Sequence, residues 1–274
     1  MSERGTGERT LLQARIEDAL TRCEKGIPSC ISFLTPGECR FAERLLRSTG
    51  AWESAWMWGG YEGAERKSLF FLPEYLLLCL SAPKDSAPPK EILALLDELA
   101  AREIFSVRVV RSGFRTLNHR DYLGAILGLG LERDALGDLA VQKNGDAVVF
   151  CTETVGKFLM ESLTKVASDT VRCRPYEVDE EFTDGRNYRP IRDTVASPRL
   201  DAVVASLTNL SREQAQNTVR SGLVEVDYEP VERTDLLLTP PAVISVRGHG
   251  RFVLRGFDGQ TRKGRLRLLA DKLI

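Results

Sequence analysis

The sequence predicts an α+β protein of three modules, on three observations. Apolar residues recur at helical spacing in several short segments that alternate with β-rich runs. Asn144-Gly145 stands between two such runs, the strongest short hairpin signal a sequence offers. Residues 177–196 mix acids with Gly185 and Pro190 and show no period, as a linker does. The modules are then 1–73, 74–176 and 197–274, and 274 residues suffice to give each a core.

In the first module, Leu12, Ile16, Ala19, Leu20 and Cys23 make one helical face. Thr35-Pro36-Gly37-Glu38 predicts a second helix: Thr35 caps it, Pro36 suits its first position, and Glu38 bonds back to the cap amide. Phe41, Leu45 and Leu46 then face inward. Ala51–Trp58 reads as β, followed by a glycine-rich turn over 59–63 and a strand over Ser68–Leu72. The second module reads as strand Tyr75–Leu80, helix Pro89–Ala101 and strand Ile104–Val110. After these come a helix Asn118–Gly128 capped by Asn118, and a hairpin of Leu139–Gln142 with Ala147–Phe150. A helix Glu153–Val166 and a strand Thr170–Pro175 close it. This order fits a ferredoxin-like sheet backed by helices, a topology shared with RNA-recognition modules; the basic-Gly-aromatic signature of such modules is missing from its inner strand.

Composition excludes several classes. The longest apolar run, Leu69–Leu80, is broken by Pro73 and Glu74, so no membrane span is expected. The polar start (Met1 to Gly5) carries no signal-peptide core, and the expected location is the cytoplasm. Cysteines at 23, 30, 39, 79, 151 and 173 form no C-x-x-C pair, and the histidines are His119 and His249. No metal site and no cofactor is expected; Cys23, Cys30 and Cys39 lack ligand spacing.

The net charge of −1 hides an asymmetry. Residues 1–196 carry 26 basic and 30 acidic side chains, and 197–274 carry 12 and 9. From Arg247 to Lys272 there are eight basic residues against Asp258 and Asp271, a clustering that a polyanion would relieve. In this third module Leu200, Val203, Val204 and Leu207 make a buried stripe. Ser211 and Gln214 form a capping box for a helix that stops at Gly222. On that helix Arg212, Gln216 and Arg220 recur every four residues and share a face, beside an N-terminus that favours phosphate. Strands are expected over Leu223–Val226 and Val243–Val246. Arg247-Gly248-His249-Gly250-Arg251-Phe252 then joins forked donors to a backbone that a ligand can approach closely. Thr261-Arg262-Lys263-Gly264-Arg265-Leu266-Arg267-Leu268 alternates like a strand with one basic face.

The stretch 197–255 resembles the ribosomal-protein-S-four-type RNA-binding domain in its R-L-D, its L-S-R, its Gly222 followed by V-x-V, and its R-G-x-G-R-F. The resemblance implies RNA-facing roles for Arg199, Ser211, Arg212, Arg247, Gly248 and Arg251; Gln216, Arg220, Arg262, Lys263 and Arg265 join them from the charge pattern. Asp227-Tyr228 departs from the usual Asn-Gly turn, and Thr239-Pro240-Pro241 from the usual Gly-Asp. Upstream, Phe33-Leu34-Thr35-Pro36, the run Gly59–Lys67 and the run His119–Gly130 are similar to the bacterial YlmH family and its photosynthetic relatives. That resemblance implies a helical N-terminal part, an RNA-recognition-like middle domain and association with the large ribosomal subunit and tRNA, in rescue of stalled translation. The expectation is a non-enzymatic binder of ribosomal RNA or tRNA, a monomer off the ribosome.

The alternative is an RNA-modifying enzyme working through His119, Asp121 and Glu132. Against it, His119-Arg120-Asp121 lacks the asparagine of a kinase loop, since Ile126 stands there. Arg133 replaces the third glycine of a dinucleotide loop at Gly128-Leu129-Gly130. Arg199-Leu200-Asp201 resembles a pseudouridine synthase signature, but Val204 stands where its threonine belongs. Trp52, Trp56 and Trp58 are read as core packing, and the 59–67 loop as either a turn or a second RNA contact.

Overall fold

The computed structural model describes residues 3–77 and 103–274, and it divides into two compact units, Met1–Gly185 and Arg186–Ile274. The expected helix Pro89–Ala101 falls outside the described residues.

In the first unit, helix α1 (Glu3–Glu24) buries Leu12, Ile16, Ala19 and Cys23, the stripe its spacing predicts. Helix α2 (Pro36–Ser48) begins at the expected capping box: Thr35 Oγ1 accepts from the Glu38 amide, and Glu38 accepts from the Thr35 amide. Both helices pack on one face of an antiparallel sheet of order β1-β3-β2, made of β1 (Ser29–Leu34), β2 (Ala55–Trp58) and β3 (Lys67–Phe71). Strand β1 is not among the expected elements, because its six residues mix polar and apolar side chains without a long apolar run and it is defined by its pairing with β3. Only the second half of 51–58 is extended; Ala51–Ser54 is a 3-10 turn entered from Gly50, whose φ is 73°. Trp56 is buried on the far face of this sheet with Phe70, Leu72 and Leu76, so it packs as expected. Where the sequence suggests a strand from Tyr75, a short helix α3 (Glu74–Leu77) stands. The Pro73 carbonyl accepts from Leu76 N–H at 2.9 Å, and a proline's fixed φ favours a helix start over a strand.

The second sheet comprises β4 (Phe105–Arg111), β5 (Leu136–Val141), β6 (Ala147–Cys151), β7 (Lys165–Val166) and β8 (Asp169–Pro175) in the antiparallel order β5-β6-β4-β8-β7. With α4 (His119–Leu127) after β4 and α5 (Glu153–Ser162) after β6, the chain runs β-α-β-β-α-β, the split arrangement of a ferredoxin-like sheet. Among the described residues the first strand of this sheet begins at Phe105, not at Tyr75. Asn118 caps α4 in a capping box with Asp121. Helix α5 stops before Val166, because Leu163 turns extended and Val166 is buried in a strand instead. Tyr122, Ile126, Leu159 and Leu163 cover one face of the sheet over Val107, Val109, Ala147 and Val149.

On the opposite face, Val148 and Phe150 are buried under Phe33, Tyr61 and Ala64, with Phe182 alongside. The 59–67 loop is drawn down by Asp138, which accepts from Tyr61 Oη at 2.7 Å and from the amides of Glu65 and Arg66 at 2.8 and 3.0 Å. Arg66, itself buried, donates to the carbonyls of Leu136, Phe33 and Arg133 at 2.7, 2.9 and 3.1 Å. The loop is therefore a clamp between the two sheets of this unit.

In the second unit, six strands lie in the antiparallel order β11-β10-β12-β13-β14-β9. They are β9 (Tyr188–Val195), β10 (Val224–Val226), β11 (Glu229–Pro230), β12 (Ala242–Val246), β13 (Gly250–Gln260) and β14 (Leu266–Leu273), with helices α6 (Leu200–Thr208) and α7 (Arg212–Arg220) between β9 and β10. Leu200, Val203, Val204, Leu207, Ala215 and Val219 pack on Val224, Ile244, Val246, Phe252, Leu254, Leu268 and Ala270. Strand β9 falls inside the stretch that reads as a linker, so the boundary moves to Gly185. The run Thr261–Leu268 is not one basic strand. Residues 261–265 turn, with Thr261 N–H donating to Arg265 O and Gly264 at φ 74°, and only Leu266 onward is extended. No helix among the described residues is long and apolar enough to cross a membrane.

Candidate nucleic-acid interface

Asp201 organises the surface around the start of α7. It sits in the first turn of α6 and is completely buried, yet it lies where four donors converge. Arg199 grips both carboxylate oxygens at 3.2 Å, Arg212 donates to Oδ1 at 2.9 Å, and Gln216 Nε2 donates to Oδ2 at 2.9 Å. Burial alone would raise this carboxyl, but the hydrogen bonds from Arg199, Gln216 and Arg212 outweigh it and hold the group at about 2. Within the clamp two guanidiniums meet one carboxylate, an excess of one positive charge. Both remain accessible, with Arg199 37% and Arg212 46% exposed. The clamp thus fixes flexible side chains in place while their outer edges face solvent.

Ser211 is committed to capping α7: its hydroxyl accepts from Gln214 N–H at 3.2 Å, and Gln214 returns a bond to the Ser211 amide. Arg220, exposed, continues the Arg212–Gln216 face to the last turn. Gly222 at φ 66° ends the helix, and the Leu223 carbonyl accepts from Arg247 N–H at 2.9 Å. Arg199, Arg212, Gln216 and Arg220 therefore lead along α7 toward the β12–β13 turn that carries Arg247 and Gly248. The positive φ of Gly248 and Gly250, 82° and 108°, makes that turn.

The remaining residues lie elsewhere. Ile244 faces Phe252 in the core, so the neighbouring pair Ser245–Arg251 projects from the face of the sheet away from α6 and α7. Arg251 there stacks on Tyr228 at 5.5 Å. Arg262 and Lys263 are exposed at the β13–β14 turn, which eleven residues of β13 separate from Arg247, roughly 35 Å of strand. Arg265 is turned back onto Thr194, bonding its hydroxyl at 3.0 Å and also its carbonyl. The sequence-predicted residues thus form one cluster on α7 with outliers at two other places. Asp201, which holds the cluster, is missed as a site residue by sequence reasoning, which meets it only as the last residue of the R-L-D motif and gives the role to Arg199. Its signal is nevertheless present: an acid between the apolar positions of a buried stripe demands a partner.

In the first unit, Asp121 is spent on capping α4 and on Arg115 at 3.7 Å. Burial, with Arg133 nearby, lowers the His119 imidazole below the usual histidine range. Among the described residues no group of acids, cysteines and histidines is placed to hold a metal ion.

A chain of mixed helix and sheet with an ordered cationic helix face has the makings of a nucleic-acid-binding protein, and the family model that matches part of it is described in the same terms. A family model described as "Putative RNA-binding domain in YlmH" matches residues 103–180, the second sheet of the first unit and its exit. The chain is 31% identical over 214 residues to "Ribosome-associated protein quality control protein P2" of Bacillus subtilis (strain 168), covering 78% of this chain and 76% of the relative. A solved structure, "Cell division protein ylmH from Streptococcus pneumoniae", aligns at 16% identity with a TM-score of 0.47 over 64% of this chain and 95% of that one. The chain belongs to the YlmH family.

Proposed function

We propose that this protein binds structured RNA on the ribosome without catalysing a reaction, and that its principal contact is the α7 face of Arg212, Gln216 and Arg220 together with Arg199 at the start of α6, with Arg247 and Gly248 beside it. The observation that carries the reading is the buried Asp201 clamp, which orders two guanidiniums, one at the start of α6 and one at the start of α7. A positive helix end and forked donors held in advance suit phosphate, because little side-chain entropy remains to be lost on binding. The S-four-type resemblance of 197–255 supports assigning this unit to RNA. The Bacillus subtilis relative's name supports a ribosomal setting, in quality control of stalled translation. Ribosomal RNA of the large subunit and tRNA are the substrates this reading names.

The test uses full-length protein and purified ribosomes. Arg212→Ala combined with Arg220→Ala is expected to weaken co-sedimentation at least tenfold and to lower the log–log salt slope by about 0.7 to 0.9 for each phosphate left unneutralised. Arg233→Ala, from an exposed turn where Arg233 meets Asp235 at 3.6 Å, is expected to change neither. Equal affinities and slopes for the two variants would overturn the assignment.

A further inference from the structure

The sheet of the second unit has a second chemical face. Its core side is covered by α6 and α7, and strand register assigns alternate residues to the other side. Ala270 and Leu268 are core residues, so Leu269 with its neighbour Arg192, and Arg267 with Thr194, project outward. Arg251 does so from β13. Arg255 joins it at a bulge, donating to Asp271 Oδ2 at 2.7 Å, and Asp271 faces outward opposite Val253.

Each lateral end of this face carries a tyrosine stacked on an arginine. Tyr228 lies over Arg251 at 5.5 Å, and Tyr188 over Arg255 at 5.6 Å. Tyr228 reaches its place because Asp227 and Tyr228 both adopt left-handed φ, 52° and 68°, in the turn after β10. That conformation is costly for a tyrosine, and the Asp227 carboxylate holds it by accepting from Val243 N–H at 2.9 Å. Between the tyrosines the strands span roughly 20 Å.

We infer that this outward face, bounded by Tyr188 and Tyr228 and charged by Arg192, Arg251, Arg255 and Arg267, binds an unpaired RNA segment. Four guanidiniums stand against Glu225 and Asp271 in register, and Asp271 is already engaged by Arg255. The face therefore complements a polyanion. Stacked arginine–tyrosine pairs on an open sheet suit splayed bases better than a duplex, whose bases stack on each other. The inference rests on the reading that this unit binds RNA, and it adds a second contact on the opposite side of the sheet from α7.

Two RNA probes separate the surfaces: a blunt hairpin, and the same hairpin with an unpaired extension, each titrated with full-length protein by fluorescence anisotropy at several salt concentrations. Arg192→Ala with Arg267→Ala is expected to reduce affinity for the extended hairpin severalfold and its salt slope by about 0.7 per arginine, while blunt-hairpin binding stays unchanged. Tyr188→Ala is expected to weaken the extended probe, and Tyr188→Phe to retain binding because the ring remains. If the two arginine substitutions leave both probes bound as tightly as wild type while Arg212→Ala weakens them, the outer face falls and the α7 reading stands. If Arg212→Ala is silent and the outer-face variants lose binding, the α7 reading falls and this one stands. Unchanged RNA binding with loss of a ribosomal protein from the sedimented complex would make the occupant a protein and overturn the inference.

Discussion

Replacing Asp201 by asparagine tests the clamp directly. The carboxylate is buried and takes four hydrogen bonds from Arg199, Arg212 and Gln216. Depressing its pKa from the ordinary 3.8 to about 2, at about 1.4 kcal/mol per tenfold, corresponds to about 2 kcal/mol of stabilisation. Because the folded value is the lower one, that stabilisation is complete above the unfolded value and is lost as pH falls from about 4 toward 2. Asparagine removes it at every pH and also turns an amide N–H₂ toward groups that can only donate. The total loss at neutral pH is about 3 kcal/mol, the low end for breaking a buried pair, since both arginines can rehydrate. All three tryptophans lie in the first unit, so their fluorescence does not report on this one. Hydrogen exchange of the α6 and α7 amides does. Exchange is expected to accelerate more than a hundredfold in the variant at pH 7, and the gap to wild type is expected to narrow as both approach pH 2. A gap absent at pH 7, or as wide at pH 2 as at pH 7, would refute the reasoning.

Arg66→Met should cost the first unit about 3 kcal/mol or more, because three carbonyls lose a buried charged donor; urea unfolding followed by tryptophan fluorescence measures it. Gly156→Ala pits helix propensity, a gain of about 1 kcal/mol, against a new Cβ only 2.3 Å from the Phe105 ring; net destabilisation of about 1–2 kcal/mol is expected in the same assay. His119→Ala is expected to leave the nucleoside-modification profile of ribosomal RNA and tRNA identical to wild type by mass spectrometry of digested RNA. One nucleoside missing in both the variant and a deletion strain would establish an enzyme.

Local chemistry is the legible part of the sequence. Thr35 with Glu38 and Ser211 with Gln214 are capping boxes written within four residues, and both form; Asn118 caps its helix as expected, and Asp121 completes a box there. The stripes of α1 and α6 and the Asn144-Gly145 hairpin are likewise short-range. The elements that escape a sequence reading need long-range information. Strand β1 is defined by pairing with β3, some forty residues on, and β9 by pairing with β14, which lies beyond two helices. Strand β9 is an edge with Arg189, Arg192 and Asp193 facing water or solvent-exposed neighbours, so its hydrophobic alternation is too weak to separate it from a linker. At the site, the spacing of Arg212, Gln216 and Arg220 correctly puts them on one face. It cannot reveal that Arg251 leaves the sheet on the other side, because a side-chain direction in a strand depends on a register that only the folded sheet sets.

The edges of the second sheet also decide how pieces of this protein behave. One edge is β11, two residues long and ending in Pro230; the other is β9, with Pro190 and a run of charges. Such strands offer a second molecule no continuous ladder of donors. A fragment begun at Ser197, where the sequence alone suggests the unit starts, would lack β9 and bare the full length of β14, including Leu266, Leu268 and Ala270. That strand would then be open to pairing with its counterpart in another copy, and the fragment would aggregate or exchange strands, whereas one begun at Arg186 keeps its own guard.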